Sequence, residues 1–170
     1  MLDQLRLRPA TRADLPALVD LRRAVGWGSG GLEGSFSAVA AGRHVILLAE
    51  IGSTAVGAVT VALHAGLPAE RGHVSDLLVS PLWRRRGVGT LLLRSAEAEI
   101  LRRGGRECTL DVDGANHGAL ELYRRNGYER YRPAQFPWGP GFTLRKVLAP
   151  PAPVVRRGLW SRLGWPARPQ

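Results

Sequence analysis

The densest chemistry in the sequence is Arg84-Arg85-Arg86-Gly87-Val88-Gly89-Thr90, three adjacent cations running into two glycines. Neighbouring like charges repel, so an anion must offset them, either a solvent counterion or a ligand. Gly87 and Gly89 lack Cβ atoms and let a backbone come close to a bound group. The leucines after Thr90 read as the start of a helix, whose first N–H groups have no partner of their own. Those donors, the positive end of the helix dipole and the guanidinium groups together suit phosphate. A solvated basic turn ahead of an ordinary helix uses the same residues, and the turn alone does not choose between the two.

The familiar phosphate signatures fail here. A Walker loop requires a lysine after its last glycine, and none follows; a dinucleotide fingerprint requires a glycine where Leu92 stands. Elsewhere, Asn116 and Tyr123 are seven residues apart, which at about 3.6 residues per turn puts them on one helix face. Asn116 is equally suited to cap that helix and Tyr123 to be a half-buried core aromatic.

Hydrophobic patterning supplies the elements that hold these groups. Leu5 to Arg8 alternates as a strand, and "TRADLPALVDLRRAVGW" reads as a helix capped by Thr11 or Asp14 and ended by Gly26. "GWGSGGLEGSF" reads as a glycine-rich connection. Two apolar runs separated by Gly52-Ser53-Thr54 form a hairpin, and "GHVSDLLVS" is the strand before the arginine turn. A helix from about Gly87 to Arg103, the strand "CTLDVDG", a helix in "NHGALELYRRNGY" and a last strand "FTLRKVL" follow. The order implies an α/β fold, a mixed sheet with helices on both faces. From Ala149 to Gln170 the chain turns rich in proline and arginine, so residues 1–148 are expected to be the domain and 149–170 a tail, with Trp160 and Trp165 hinting at some docking.

Arg84-x-x-Gly87-x-Gly89, together with the order of the flanking elements from about residue 4 to 128, resembles the GNAT superfamily of acyl-CoA-dependent N-acyltransferases. The resemblance implies an N-acetyltransferase that moves the acetyl group of acetyl-CoA to a primary amine by direct attack in a ternary complex. It assigns the coenzyme pyrophosphate to the N–H groups of Val88, Gly89 and Thr90, with Arg84, Arg85 and Arg86 as countercharge and Arg86 or Arg124 for the adenosine phosphate. It assigns the pantetheine arm to the backbone of Leu77 and Val79 and to Asn116, and an oxyanion contact to Val79 N–H. It makes Tyr123 the acid that protonates the departing thiolate. By position in the family's strand, His73 becomes a candidate base; Asp76, of opposite parity, is expected to face the other way and be structural. The acceptor pocket would draw on Trp27, Glu33, Phe36 and Trp138, suiting a cationic amine or a peptide N-terminus, and Glu33 is a further candidate base.

A single cysteine, Cys108, excludes an internal disulfide and a cysteine-rich metal site, so no metal is expected. With no signal-like or membrane-spanning run, a cytoplasmic protein is expected, with a homodimer as one arrangement open to it. The net charge of +10 also suits a nucleic-acid-binding module. That alternative ranks below the enzyme, because no helix carries a basic recognition face. An acyl-CoA sensor without turnover is the third alternative, if His73 and Tyr123 are idle.

Overall fold

The computed structural model of the protein describes residues 4–63 and 70–148. Strand β1 (Leu5–Pro9) leads through a short 3-10 turn to α1 (Leu15–Ala24) and α2 (Leu32–Ala40), then to β2 (His44–Ile51), β3 (Thr54–Leu63) and β4 (Arg71–Val79). Helix α3 (Val88–Arg102), β5 (Glu107–Asp113), α4 (His117–Arg125), β6 (Glu129–Phe136) and β7 (Gly139–Val147) complete it. The strands make one sheet in the order β1-β2-β3-β4-β5-β7-β6. Among the described residues, only β4 and β5 pair in parallel, and α3 is the crossover that parallel pairing demands.

Each face of the sheet is covered by its own apolar cluster. On one, α3 buries Val88, Leu92, Leu93, Ala96 and Ile100, the helical repeat of its inward stripe, against Val59, Val61, Val74, Cys108 and Leu110, and Tyr123 of α4 joins them. On the other, Leu18, Leu21, Leu32 and Phe36 of α1 and α2 cover Ile46, Leu48 and Ala58. Gly72 permits the close seating of α3: a Cβ there would lie 2.4 Å from Ile100 Cγ1. The helices α1 and α2 thus lie over the β2–β4 half of their face.

The expected elements are present, with two additions. The glycine-rich connection ends at Gly31, whose φ of +85° suits glycine, and α2 starts one residue later. Strand β6 is an edge strand with an almost wholly exposed burial pattern, which deprives it of the alternation that marks a strand in sequence. The tail from Ala149, with Trp160 and Trp165, lies outside the described residues.

Two features of β4 shape the centre of the sheet. Its ladder with β5 covers Arg71–Val74 against Glu107–Leu110 and stops there, although β4 runs on to Val79 and β5 to Asp113. Against β3, the register moves from Thr60↔Ser75 to Ala58↔Leu78, so three residues of β4 oppose two of β3. That is a β-bulge, and Asp76 within it has a φ of +51°.

Candidate active site

The parting of β4 from β5 places backbone polar groups along an open edge. Ser80 N–H is taken by Val56 O of β3 at 2.9 Å. Because extended residues turn their polar groups to alternate edges, Val79, and Leu77 two before it, direct theirs towards the parting. Arg84 Nε donates to the Val79 carbonyl at 3.2 Å, tying the end of the strand to the arginine turn.

That turn is built to collect N–H groups. Arg85 and Gly87 both have positive φ, +60° and +85°, an alternation that turns successive N–H groups to one concave side. For Arg85 the conformation costs on the order of 1 kcal/mol, the kind of strain kept at binding sites. The first i to i−4 bond of α3 is Leu91 N–H to Gly87 O at 3.0 Å, so Val88, Gly89 and Thr90 N–H have no intrahelical acceptor. The guanidinium groups of Arg84, Arg85 and Arg86 belong to exposed side chains, Arg86 lying over the Trp83 ring at 5.1 Å. The two glycines have different tasks. Gly87 supplies the left-handed backbone; a Cβ on Gly89 would meet Leu122 at 3.3 Å, so Gly89 serves the approach of α3 to α4.

The two faces of the parting carry different chemistry. On the α1 side, His73 Nδ1 is 3.0 Å from Thr109 Oγ1 and Nε2 is 3.9 Å from Asp111 Oδ2. Asp111 Oδ1 accepts from the Thr143 hydroxyl at 2.7 Å. Burial pushes the His73 pKa below the ordinary 6.5, and the Asp111 charge opposes that shift. On the α3 side, Tyr123 is only 7% exposed, its ring 5.9 Å from that of Tyr128, and burial pushes its hydroxyl up to about 12. It is therefore a protonated donor at neutral pH.

The other expected residues have these surroundings. Asp76 corrects the parity argument: the bulge turns its carboxylate to the same face as His73, where Arg22 of α1 donates to it at 2.5 Å. Phe36 is 5% exposed within the second core and offers a ligand little surface. Exposed Glu33 is bonded by Arg12 at 2.6 Å, which neutralises the carboxylate expected to attract a cation. Trp27 is half-exposed at the end of α1, and Trp138, 67% exposed, stacks on Phe136 in the β6–β7 hairpin. Asn116 Oδ1 accepts from Ala119 N–H at 3.1 Å, so it caps α4; Arg124 is held by Glu121 at 2.9 and 3.0 Å. Nothing in the sequence alone marks Asp111 or Arg22. Alternation within "CTLDVD" does put Thr109 and Asp111 on one face, but their meeting with His73 depends on the β4–β5 register.

A broad concavity of about 650 Å³ lies beside the β6–β7 hairpin, with Arg130 stacked over Phe142 at 4.0 Å. It is on the β7 side of β5, away from the parting, and holds none of these groups.

A sheet opened between two parallel strands above a helix-capped anion turn is the architecture of an acyltransferase. The model of the Acetyltransferase (GNAT) family matches residues 17–128, well over half the chain, and the chain belongs to that family. N-alpha-acetyltransferase 30 of Xenopus laevis is 32% identical over 88 residues, 51% of this chain and 32% of that protein. An uncharacterized N-acetyltransferase of Methanocaldococcus jannaschii is 38% identical over 60 residues, 35% of this chain and 26% of that one. The chain thus spans a third or less of these two relatives. In fold it is similar to the PaiA N-acetyltransferase of Thermoplasma acidophilum, solved in complex with coenzyme A: TM-score 0.72 at 20% identity, covering 84% of this chain and 98% of that one. Among the described residues, no helix is long and apolar enough to cross a membrane.

Proposed function

We propose that this acyltransferase acetylates a primary amine, most readily the α-amino group of a peptide, using acetyl-CoA in a ternary complex. The observation that carries the reading is the open β4 edge at Leu77 and Val79, ending in the N–H groups of the arginine turn. The likeness to an N-alpha-acetyltransferase over half of the chain supports a peptide acceptor over a small amine.

The residues fit the coenzyme. Val88, Gly89 and Thr90 N–H, with Arg84, Arg85 and Arg86, would hold its pyrophosphate, and the backbone of Leu77 and Val79 its pantetheine arm, with Asn116 at the start of α4 beside it. Acetyl-CoA supplies an activated thioester. His73 and Asp111 take the proton that an ammonium must lose before it can attack. Thr109 gives its hydroxyl proton to Gly72 O at 3.4 Å, so it accepts from His73 Nδ1–H and leaves Nε2 as the basic nitrogen. Val79 N–H stabilises the oxyanion, and Tyr123 protonates the leaving sulfur from the other face. In this proposal the catalytic domain is residues 1–148 and the protein works in the cytoplasm.

Mass-spectrometric detection of acetyl transfer from acetyl-CoA to a panel of tetrapeptides with free α-amino groups, alongside small amines, tests the proposal. A mass gain on peptides is expected. Gain on small amines alone would replace the acceptor class, and coenzyme binding without transfer to any amine would make the protein a sensor.

A further inference from the structure

Arg22 is a buried cation to which the chemistry above gives no task. Its side chain is 9% exposed; Nη2 donates to Asp76 Oδ2 at 2.5 Å, and Nη1 donates to the Gly30 carbonyl at 2.5 Å and the Gly28 carbonyl at 3.3 Å. Its own carbonyl accepts from Val25 N–H at 3.1 Å and Trp27 N–H at 2.8 Å. Its Nε–H is buried without a hydrogen-bond partner.

A buried guanidinium with an unsatisfied donor is a poor way to gain stability, because desolvation offsets most of what the ion pair returns. What it provides is a connection. At one end is Asp76, at the left-handed bulge that immediately precedes the open edge of β4. At the other is the α1–α2 connection, whose glycines at 26, 28, 30 and 31 give it little conformational preference. Arg22 supplies bonds to that connection from both its backbone and its side chain.

We propose that Arg22 and Asp76 are positioning residues that couple the two substrate sites: filling the β4 edge with coenzyme fixes the bulge, and Arg22 passes that order to the α1–α2 connection, which carries half-exposed Trp27, the expected acceptor contact. The coupling rests on the coenzyme reading of the β4 edge. It makes the protein favour the amine once the acyl donor is in place.

Hydrogen exchange read by mass spectrometry on the full chain, with coenzyme A as the probe, tests it. In the unmodified protein the coenzyme should slow exchange both at residues 75–90 and at residues 26–31. In Asp76→Ala and Arg22→Lys the first effect should persist with affinity weakened about tenfold, and the second should vanish. Asp76→Asn keeps an acceptor oxygen and tolerates positive φ, so it should retain the coupling. Unchanged exchange in the α3 core of each variant reports an intact fold. Protection of 26–31 that survives in Asp76→Ala, or is missing from the unmodified protein while 75–90 is protected, overturns the proposal. If coenzyme protects nothing, the coenzyme reading fails instead. The ligand-free proteins then decide: faster exchange at 26–31 in Asp76→Ala supports the link, and equal exchange removes it.

Discussion

His73 Nδ1 lies 3.0 Å from the Thr109 hydroxyl across the last paired stretch of β4 and β5, one step before the strands part. The contact fixes the orientation of the ring and points its other nitrogen, Nε2, towards Asp111, 3.9 Å from Oδ2.

Because burial holds the His73 pKa below 6.5, the imidazole is neutral at physiological pH and the acid limb of kcat/KM should fall below that value. Asp111→Asn removes the charge that opposes the depression, so the limb should move to lower pH while the rate at neutrality drops about tenfold or more. Thr109→Val should lower kcat about tenfold with little change in acetyl-CoA affinity. A pH profile that is the same in Asp111→Asn and the unmodified enzyme would detach Asp111 from the base.

The same depression has a thermodynamic sign. The folded protein resists a proton that the unfolded chain accepts, so His73's contribution to stability is complete above pH 6.5 and is lost as pH falls through the lower, folded pKa. His73→Gln should flatten that part of the curve of urea midpoint against pH.

Tyr123→Phe keeps the ring that packs against Tyr128 and removes the hydroxyl. Turnover should fall about a hundredfold with coenzyme affinity nearly unchanged. With the hydroxyl held up to about 12, the unmodified enzyme should keep its activity well into alkaline solution. Equal turnover in the variant would reduce Tyr123 to a packing residue.

Much of this arrangement was legible in the sequence because it is local. The arginine turn sits between a strand and a helix whose periods are clear, and the segment from Cys108 to Tyr128 alternates, caps and coils within a short span. Sequence parity misplaces Asp76 because it assumes an unbroken ladder, and the bulge that breaks it is set by pairing with β3. Strand β6 gave no signal because an exposed edge with Arg130, Arg132 and Pro133 has no apolar face to repeat. Helix α2 was hidden by the glycines before it, although Leu32 and Phe36 stand at helical spacing and both enter the core. Asp111 and Arg22 work through partners dozens of residues away, a relation that only the fold creates.

The sheet beyond the parting depends on one close backbone approach. A Cβ on Gly141 would lie 2.2 Å from Val112 O and 2.8 Å from the Phe136 ring. Gly141→Ala should therefore destabilise the protein by roughly 1–3 kcal/mol through forced separation of β5 and β7. A melting temperature within a degree of the unmodified protein's would show that the strands yield freely.

The arginine turn separates charge from shape, and the two can be removed independently. Arg84→Ala with Arg86→Ala leaves the backbone N–H groups in place and takes away countercharge. Coenzyme affinity should fall about tenfold or more, and the remaining affinity should depend less on salt. Gly87→Ala keeps every charge and puts a Cβ on a backbone with a φ of +85°, a conformation that strains any residue with a side chain. The turn can relieve that strain only by rotating the N–H groups away from their common side. Coenzyme affinity should fall again, this time with the salt dependence of the unmodified protein, while melting temperature drops only modestly. Titration calorimetry at two salt concentrations distinguishes the cases. If the double arginine variant binds coenzyme A as tightly as the unmodified protein at both, the cations answer only solvent, and the N–H groups hold the pyrophosphate without them.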